Sequence, residues 1–122
     1  MARVLVIDDD EQVLDMLCES LTREGYDVLR ASNGEEGLRL YRKEPVDLII
    51  TDLFMPEKEG IETIIELRQD FPDVKIIAIS GGGRIGTKDY LQMAKIFGVQ
   101  RTFTKPVARE QLLDAIRVLI KE

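Results

Sequence analysis

The stretch Arg3-Val4-Leu5-Val6-Ile7-Asp8-Asp9-Asp10 runs a short apolar segment straight into three consecutive acids. An apolar run without polar alternation marks a strand buried on both faces, as in a parallel sheet covered by helices. Directly after it, Leu14, Leu17, Cys18 and Leu21 recur at i, i+3, i+4 and i+7, one face of a helix. Gly25 suits the residue just past that helix. Strand, acidic turn and helix together make a βα unit, and the rest of the chain repeats the rhythm.

Tyr26 to Ala31 reads as a second strand. Asn33-Gly34-Glu35-Glu36 has the form of a helix N-cap with an acid three residues on, followed by Leu38, Leu40 and Tyr41 and closed by Pro45. Val46 to Thr51 is the third strand. A third helix opens at Pro56-Glu57, carries Ile61, Ile64 and Ile65, and stops at Phe71-Pro72. Val74 to Ile79 is the fourth strand, followed by Gly81-Gly82-Gly83 and a weaker helix that ends at Phe97-Gly98. Arg101 to Thr104 is the fifth strand, and Leu112, Ala115, Ile116 and Leu119 mark the last helix. Five βα units in succession predict an α/β fold, a parallel sheet with helices on both faces.

Composition narrows the function. A chain of 122 residues fits one domain. The 17 basic against 23 acidic side chains, net −6, oppose direct binding to nucleic acid, which requires a basic surface. No apolar run reaches the length of a membrane span, and Met1-Ala2-Arg3 leads into a strand without a signal-peptide pattern. Cys18 alone permits no internal disulfide, which suits a cytoplasmic location. The absence of His removes Ser-His-Asp and Cys-His catalytic pairs and disfavours a transition-metal site.

Ligands of open parallel sheets bind beyond the carboxyl ends of the strands. Asp8, Asp9 and Asp10 follow the first strand, Asp52 ends the third, Ser80 follows the fourth, and Lys105-Pro106 follows the fifth. Duller roles exist for each: helix capping for the acids, loop chemistry for Ser80, a solvated side chain for Lys105. Three consecutive acids exceed what one cap requires. If the strands are suitably ordered, clustered carboxylates meet on one rim, and a hard dication such as Mg2+ relieves their repulsion. Lysine supplies a point charge for a phosphate, serine a hydroxyl donor, and a carboxylate such as Asp52 can act as nucleophile to form an aspartyl-phosphate.

Ile7-Asp8-Asp9-Asp10, Asp47 to Asp52 with Leu53-Phe54-Met55-Pro56, Gly60, Ala78-Ile79-Ser80 and Thr104-Lys105-Pro106 together resemble the response-regulator receiver domain of two-component signalling. The resemblance covers essentially the whole chain, residues 1–122, and implies a single receiver domain without an output domain, with a receiver fragment of a longer regulator as the alternative. It implies a (βα)5 flavodoxin-like, doubly wound parallel sheet with strand order 2-1-3-4-5. It implies that Asp52 accepts a phosphoryl group from a sensor histidine kinase or phosphotransfer protein. It implies that Asp9, Asp52 and the backbone carbonyl of Phe54 ligate Mg2+, with Asp8 assisting through water. Ser80 matches the hydroxyl of the conformational switch, Lys105 the phosphate-binding lysine, and Pro106 a proline whose preceding peptide is usually cis. Such a domain is a monomer or weak dimer and controls a downstream protein or a relay rather than turning over a substrate. One position departs: Thr102 stands where the family usually has Tyr or Phe. Phe103, one residue later, is expected to face the other side of the strand, leaving the signal to the loop at Gly81 to Gly83.

Other functions fit less well. Aspartyl-phosphate phosphohydrolases carry a second Asp two residues after the nucleophile, where this chain has Phe54. A flavin carrier needs a hydroxyl-rich phosphate loop after the first strand, where three Asp residues would repel the phosphate. A degenerate receiver that only binds partners would not need the complete acidic set and Lys105.

Overall fold

The computed structural model describes residues 2–53, 60–81, 92 and 94–120. Five strands, β1 (Arg3–Ile7), β2 (Asp27–Ala31), β3 (Leu48–Asp52), β4 (Ile76–Gly81) and β5 (Arg101–Lys105), form one sheet in the order β2-β1-β3-β4-β5. Every neighbouring pair is parallel. The helices delimited among the described residues are α1 (Glu11–Arg23), α2 (Gly34–Lys43), α3 (Gly60–Asp70) and α4 (Arg109–Ile120). Fold class and strand order are those expected. The expected helix start at Pro56-Glu57 lies outside the described residues. So does most of the helix before Gly98, of which 94–96 are helical.

The sheet is buried on both faces, and its side chains alternate between two cores. Val4, Val6, Ile50 and Ile77 pack with Leu14 and Leu21 of α1 and Leu112 and Ile116 of α4. Leu5, Ile7, Ile49 and Ile76 pack on the opposite face with Leu38 of α2 and Ile64 and Leu67 of α3. Burying each such side chain contributes about 1.5–3 kcal/mol. The predicted apolar spacings fall on these inward faces, although Cys18 is only half-buried at the edge of its core.

β2 begins at Asp27, one residue after Tyr26, and two other strands begin two residues later than their apolar runs suggest. Val46 contributes to the α2–α3 core, yet the β3 ladder starts at Leu48, opposite Val4. Likewise, Val74 is buried, but β4 starts at Ile76, opposite Ile49. Apolar character here reports burial, whereas a strand is defined by where its neighbour's ladder begins.

Helix ends are set by side chains. Asp10 caps α1, accepting from the backbone N–H of Gln12 at 2.9 Å and Val13 at 3.4 Å. Asn33 caps α2 through Glu36 N–H at 2.8 Å, while the Glu36 carboxylate accepts from Ser32 N–H at 2.7 Å. Gly25, just past α1, adopts φ +96°, a conformation costly for residues with a Cβ. Arg68 of α3 donates to the carbonyls of Phe97, Gly98 and Pro72, fastening α3 to the segment that leads into β5.

Gly60 is required by contact. A Cβ there would stand 2.1 Å from the Asp52 carbonyl oxygen and 2.7 Å from Leu53 Cα, both backbone atoms. Its N–H also donates to Leu53 O at 3.2 Å. Gly60→Ala is therefore expected to lower the unfolding free energy by roughly 1–3 kcal/mol. Gly37→Ala meets side-chain rather than backbone atoms, Cδ1 of buried Ile7 at 2.3 Å and Cγ1 at 2.9 Å, and is expected to cost less. Denaturant unfolding of both variants checks the ranking, and an equal or reversed order contradicts it.

Candidate functional site

The strand register assembles the site. Ile7 pairs with Thr51 across β1 and β3, so the next residues, Asp8 and Asp52, leave the ladder side by side. Asp52 in turn pairs with Ile79 of β4, one residue before Ser80. Ser80 and Gly81 pair with Thr104 and Lys105 of β5. Ser80 and Lys105 are thus the last rungs of a ladder that continues beyond its expected end, rather than loop residues. Asp8, Asp52 and Ser80 are buried, Asp9 is exposed, and Lys105 is half-buried.

Oxygen atoms of Asp8, Asp9 and Asp52 lie within 4.8 Å of one another. The Lys105 ammonium reaches across them, 2.9 Å from Asp8 Oδ2 and 3.6 Å from Asp52 Oδ1. Asp8 Oδ1 accepts from the backbone N–H of Asp10 at 2.9 Å. Asp8 therefore has a partner on each oxygen. Among the described residues, Asp52 Oδ1 and the Ser80 hydroxyl are buried without a hydrogen bond. Lys105 stands at an ion-pair distance from Asp52, not a hydrogen-bonding one.

Among the described residues, three carboxylates against one ammonium leave the site electrostatically unsettled. Burial first, then the Asp8 charge, with Asp9 adding, push the Asp52 carboxyl up to about 6, although Lys105 opposes the rise. Burial also raises Asp8 above the ordinary carboxylate value, despite the Asp10 N–H and Lys105, which favour its charged form. Burial disfavours charge on Lys105, but its hydrogen bond with Asp8 and the Asp52 charge outweigh this and hold the ammonium above its usual value. A donor set made only of oxygens, net negative and with one buried oxygen unpartnered, fits a hard dication. Phe54, whose carbonyl belongs to the expected ligand set, lies outside the described residues.

The departure at strand five is visible in the packing. Thr102 pairs with Ala78, a residue of the α2–α3 core. Phe103 instead packs on the α1–α4 side, with the Arg101 guanidinium 5.3 Å from its ring centroid. Phe103 is thus turned away from the face carrying Thr102, as its position predicts. Gly81 ends β4, while Gly82 and Gly83 lie outside the described residues. The Lys105–Pro106 peptide is cis. The Asp10 amide and the backbone contact of Gly60 have no sequence signature of their own, since both act through main-chain atoms or through the lack of a side chain.

Known proteins share this architecture and sequence. The family model described as the response regulator receiver domain matches residues 4–117. Transcriptional regulatory protein GlrR of Escherichia coli is 36% identical over 115 residues, covering 94% of this chain and 25% of the relative. The alkaline phosphatase synthesis transcriptional regulatory protein PhoP of Bacillus subtilis is 38% identical, covering 98% of this chain and 48% of its own length. The chain thus spans a quarter to about half of these curated relatives. A response regulator receiver domain protein from Clostridium thermocellum superposes with a TM-score of 0.91 at 32% identity, covering 99% of this chain and 95% of that one. With the family model matching nearly its full length, and a sheet of the same order, the chain belongs to the response regulator receiver domain family of two-component signalling.

Proposed function

We propose that this receiver is switched by phosphorylation of Asp52, taking the group from a phosphohistidine of a sensor histidine kinase or phosphotransfer protein. The observation that carries the proposal is a buried Asp52 oxygen with no hydrogen bond, set among Asp8, Asp9 and the Lys105 ammonium. An Asp52 oxygen attacks the phosphorus and forms the new P–O bond. The P–N bond to the donor imidazole breaks, and its electron pair stays on the ring nitrogen. Asp9 and Asp52 would hold Mg2+ directly, with the Phe54 carbonyl as the further protein ligand and Asp8 assisting through water. Bound there, the ion supplies positive charge against the carboxylates and the incoming phosphoryl oxygens. Lys105, freed from its shared contact with Asp8, pairs with a phosphoryl oxygen, and the Ser80 hydroxyl gains an acceptor by donating to another.

The domain changes state rather than turning over a substrate, and its partners are proteins on both sides, the phosphodonor and a downstream target. Among the described residues no helix is long and apolar enough to cross a membrane. A cytoplasmic, monomeric or weakly dimeric domain fits this role.

Incubation with a small acyl-phosphate donor and Mg2+ is expected to add one phosphoryl group per chain, labile to hydroxylamine and to base. Asp52→Asn is expected to take up none by intact mass, and equal uptake by that variant overturns the proposal.

The raised Asp52 value adds a pH test. The folded state holds the Asp52 proton up to about 6, above the ordinary carboxylate value, so the folded protein binds more protons than the unfolded chain between those values. Stability therefore falls as pH rises through that window, by about 2–3 kcal/mol if the shift is fully expressed. In chelator, Asp52→Asn is expected to be more stable than wild type at neutral pH, and the gap is expected to close toward about pH 4. Urea unfolding of both proteins checks this, and a gap independent of pH contradicts it.

A further inference from the structure

We infer that Asp10 is a positioning residue for the cation site: by capping α1 it fixes the backbone turn on which Asp8 and Asp9 are carried. The inference rests on the Mg2+ reading above and concerns a residue that reading leaves without a role.

The turn is anchored at both ends. At its start, Asp8 N–H donates to the Ala31 carbonyl of β2 at 3.1 Å. At its end, the Asp10 carboxylate accepts from Gln12 and Val13 N–H, at 2.9 and 3.4 Å, and its carbonyl accepts from Leu14 N–H at 3.0 Å. Within the turn, Asp10 N–H donates to Asp8 Oδ1 at 2.9 Å. One residue thus holds the helix with its side chain and the buried carboxylate with its amide, and Asp9 is strung between them.

The helix is itself a firm anchor. Leu14, Leu17 and Leu21 bury its inner face, and Arg30 of β2 grips Glu11 at 3.1 Å and Asp15 at 2.8 Å in its first turns. Without the cap side chain, the turn keeps its sheet end and the Leu14 N–H bond to the Asp10 carbonyl but loses the bonds from Gln12 and Val13 N–H, and the Asp9 carboxylate samples more orientations. Groups that orient metal ligands without touching the metal typically change affinity by about 10–100-fold when removed.

Three variants separate positioning from charge. Asp10→Asn and Asp10→Ser keep an N-cap acceptor but remove the carboxylate charge; Asp10→Ala removes both. Mg2+ titration of the purified unphosphorylated chain, followed by amide chemical shifts, gives the Kd of each. The expected result is an affinity loss of about tenfold or more in Asp10→Ala, with Asn and Ser within about threefold of wild type. Equal losses in all three overturn the inference, since Asp10 would then act only through charge. An unchanged Kd in Asp10→Ala, whatever happens to its melting temperature, reduces Asp10 to a helix cap and also overturns it. A wild type that binds no Mg2+ removes the cation reading and this inference together, an outcome distinct from either of the others.

Discussion

Everything at the rim of this sheet turns on two carboxylates that leave adjacent strands side by side. Asp8 follows β1 and Asp52 ends β3, both buried, with Asp9 beside them and, among the described residues, one ammonium, that of Lys105. Water would separate such charges, but the hydrogen-bond ladder between Ile7 and Thr51 does not. Desolvation and mutual repulsion both act on the charged forms, and Lys105 offsets part of the cost. It lies at hydrogen-bonding distance from Asp8 and farther from Asp52. Asp52 is therefore the group that the site leaves least satisfied, and an added positive charge or hydrogen-bond donor changes its balance most.

The remainder of the fold holds this arrangement in place. Two apolar cores on opposite faces clamp β1 and β3 at the sheet centre, so the carboxylates cannot separate by sliding the strands. Gly60 lets the start of α3 lie against the Asp52 carbonyl, where any side chain would collide. Asp10 ties the acidic turn to α1, and Arg68 ties α3 to the segment entering β5. With Phe103 packed on the α1–α4 side and Thr102 on the other, β5 contributes Lys105 to the site without an aromatic side chain behind Ser80.

Much of this was legible in the sequence because the physics is periodic. Unbroken apolar runs announced strands covered on both faces, and i, i+3, i+4 spacing announced the helices. Strand boundaries were less legible: Val46 and Val74 are apolar because they are buried, not because they lie in the ladder. The site followed from which residues end the strands, but strand order, which decides whether they meet, came from the family resemblance and not from local pattern. What no pattern showed was the main-chain part: the Asp10 amide on Asp8, the extension of β4 and β5 through Gly81 and Lys105, and the 2.1 Å approach behind the need for Gly60. Such features depend on how elements meet in space, and a backbone amide has the same identity in every residue but proline.

The central claim is that the carboxylate cluster is held together under electrostatic strain that a divalent cation relieves. Its most direct test is the unfolding free energy of the unphosphorylated chain at neutral pH, with Mg2+ and with chelator, for the wild type and for Asp9→Ala. The account predicts that Mg2+ stabilises the wild type, by about 2.7 kcal/mol at a hundredfold excess over Kd, and adds little to Asp9→Ala. A wild-type stability indifferent to millimolar Mg2+, or an equal gain in the variant, would contradict it.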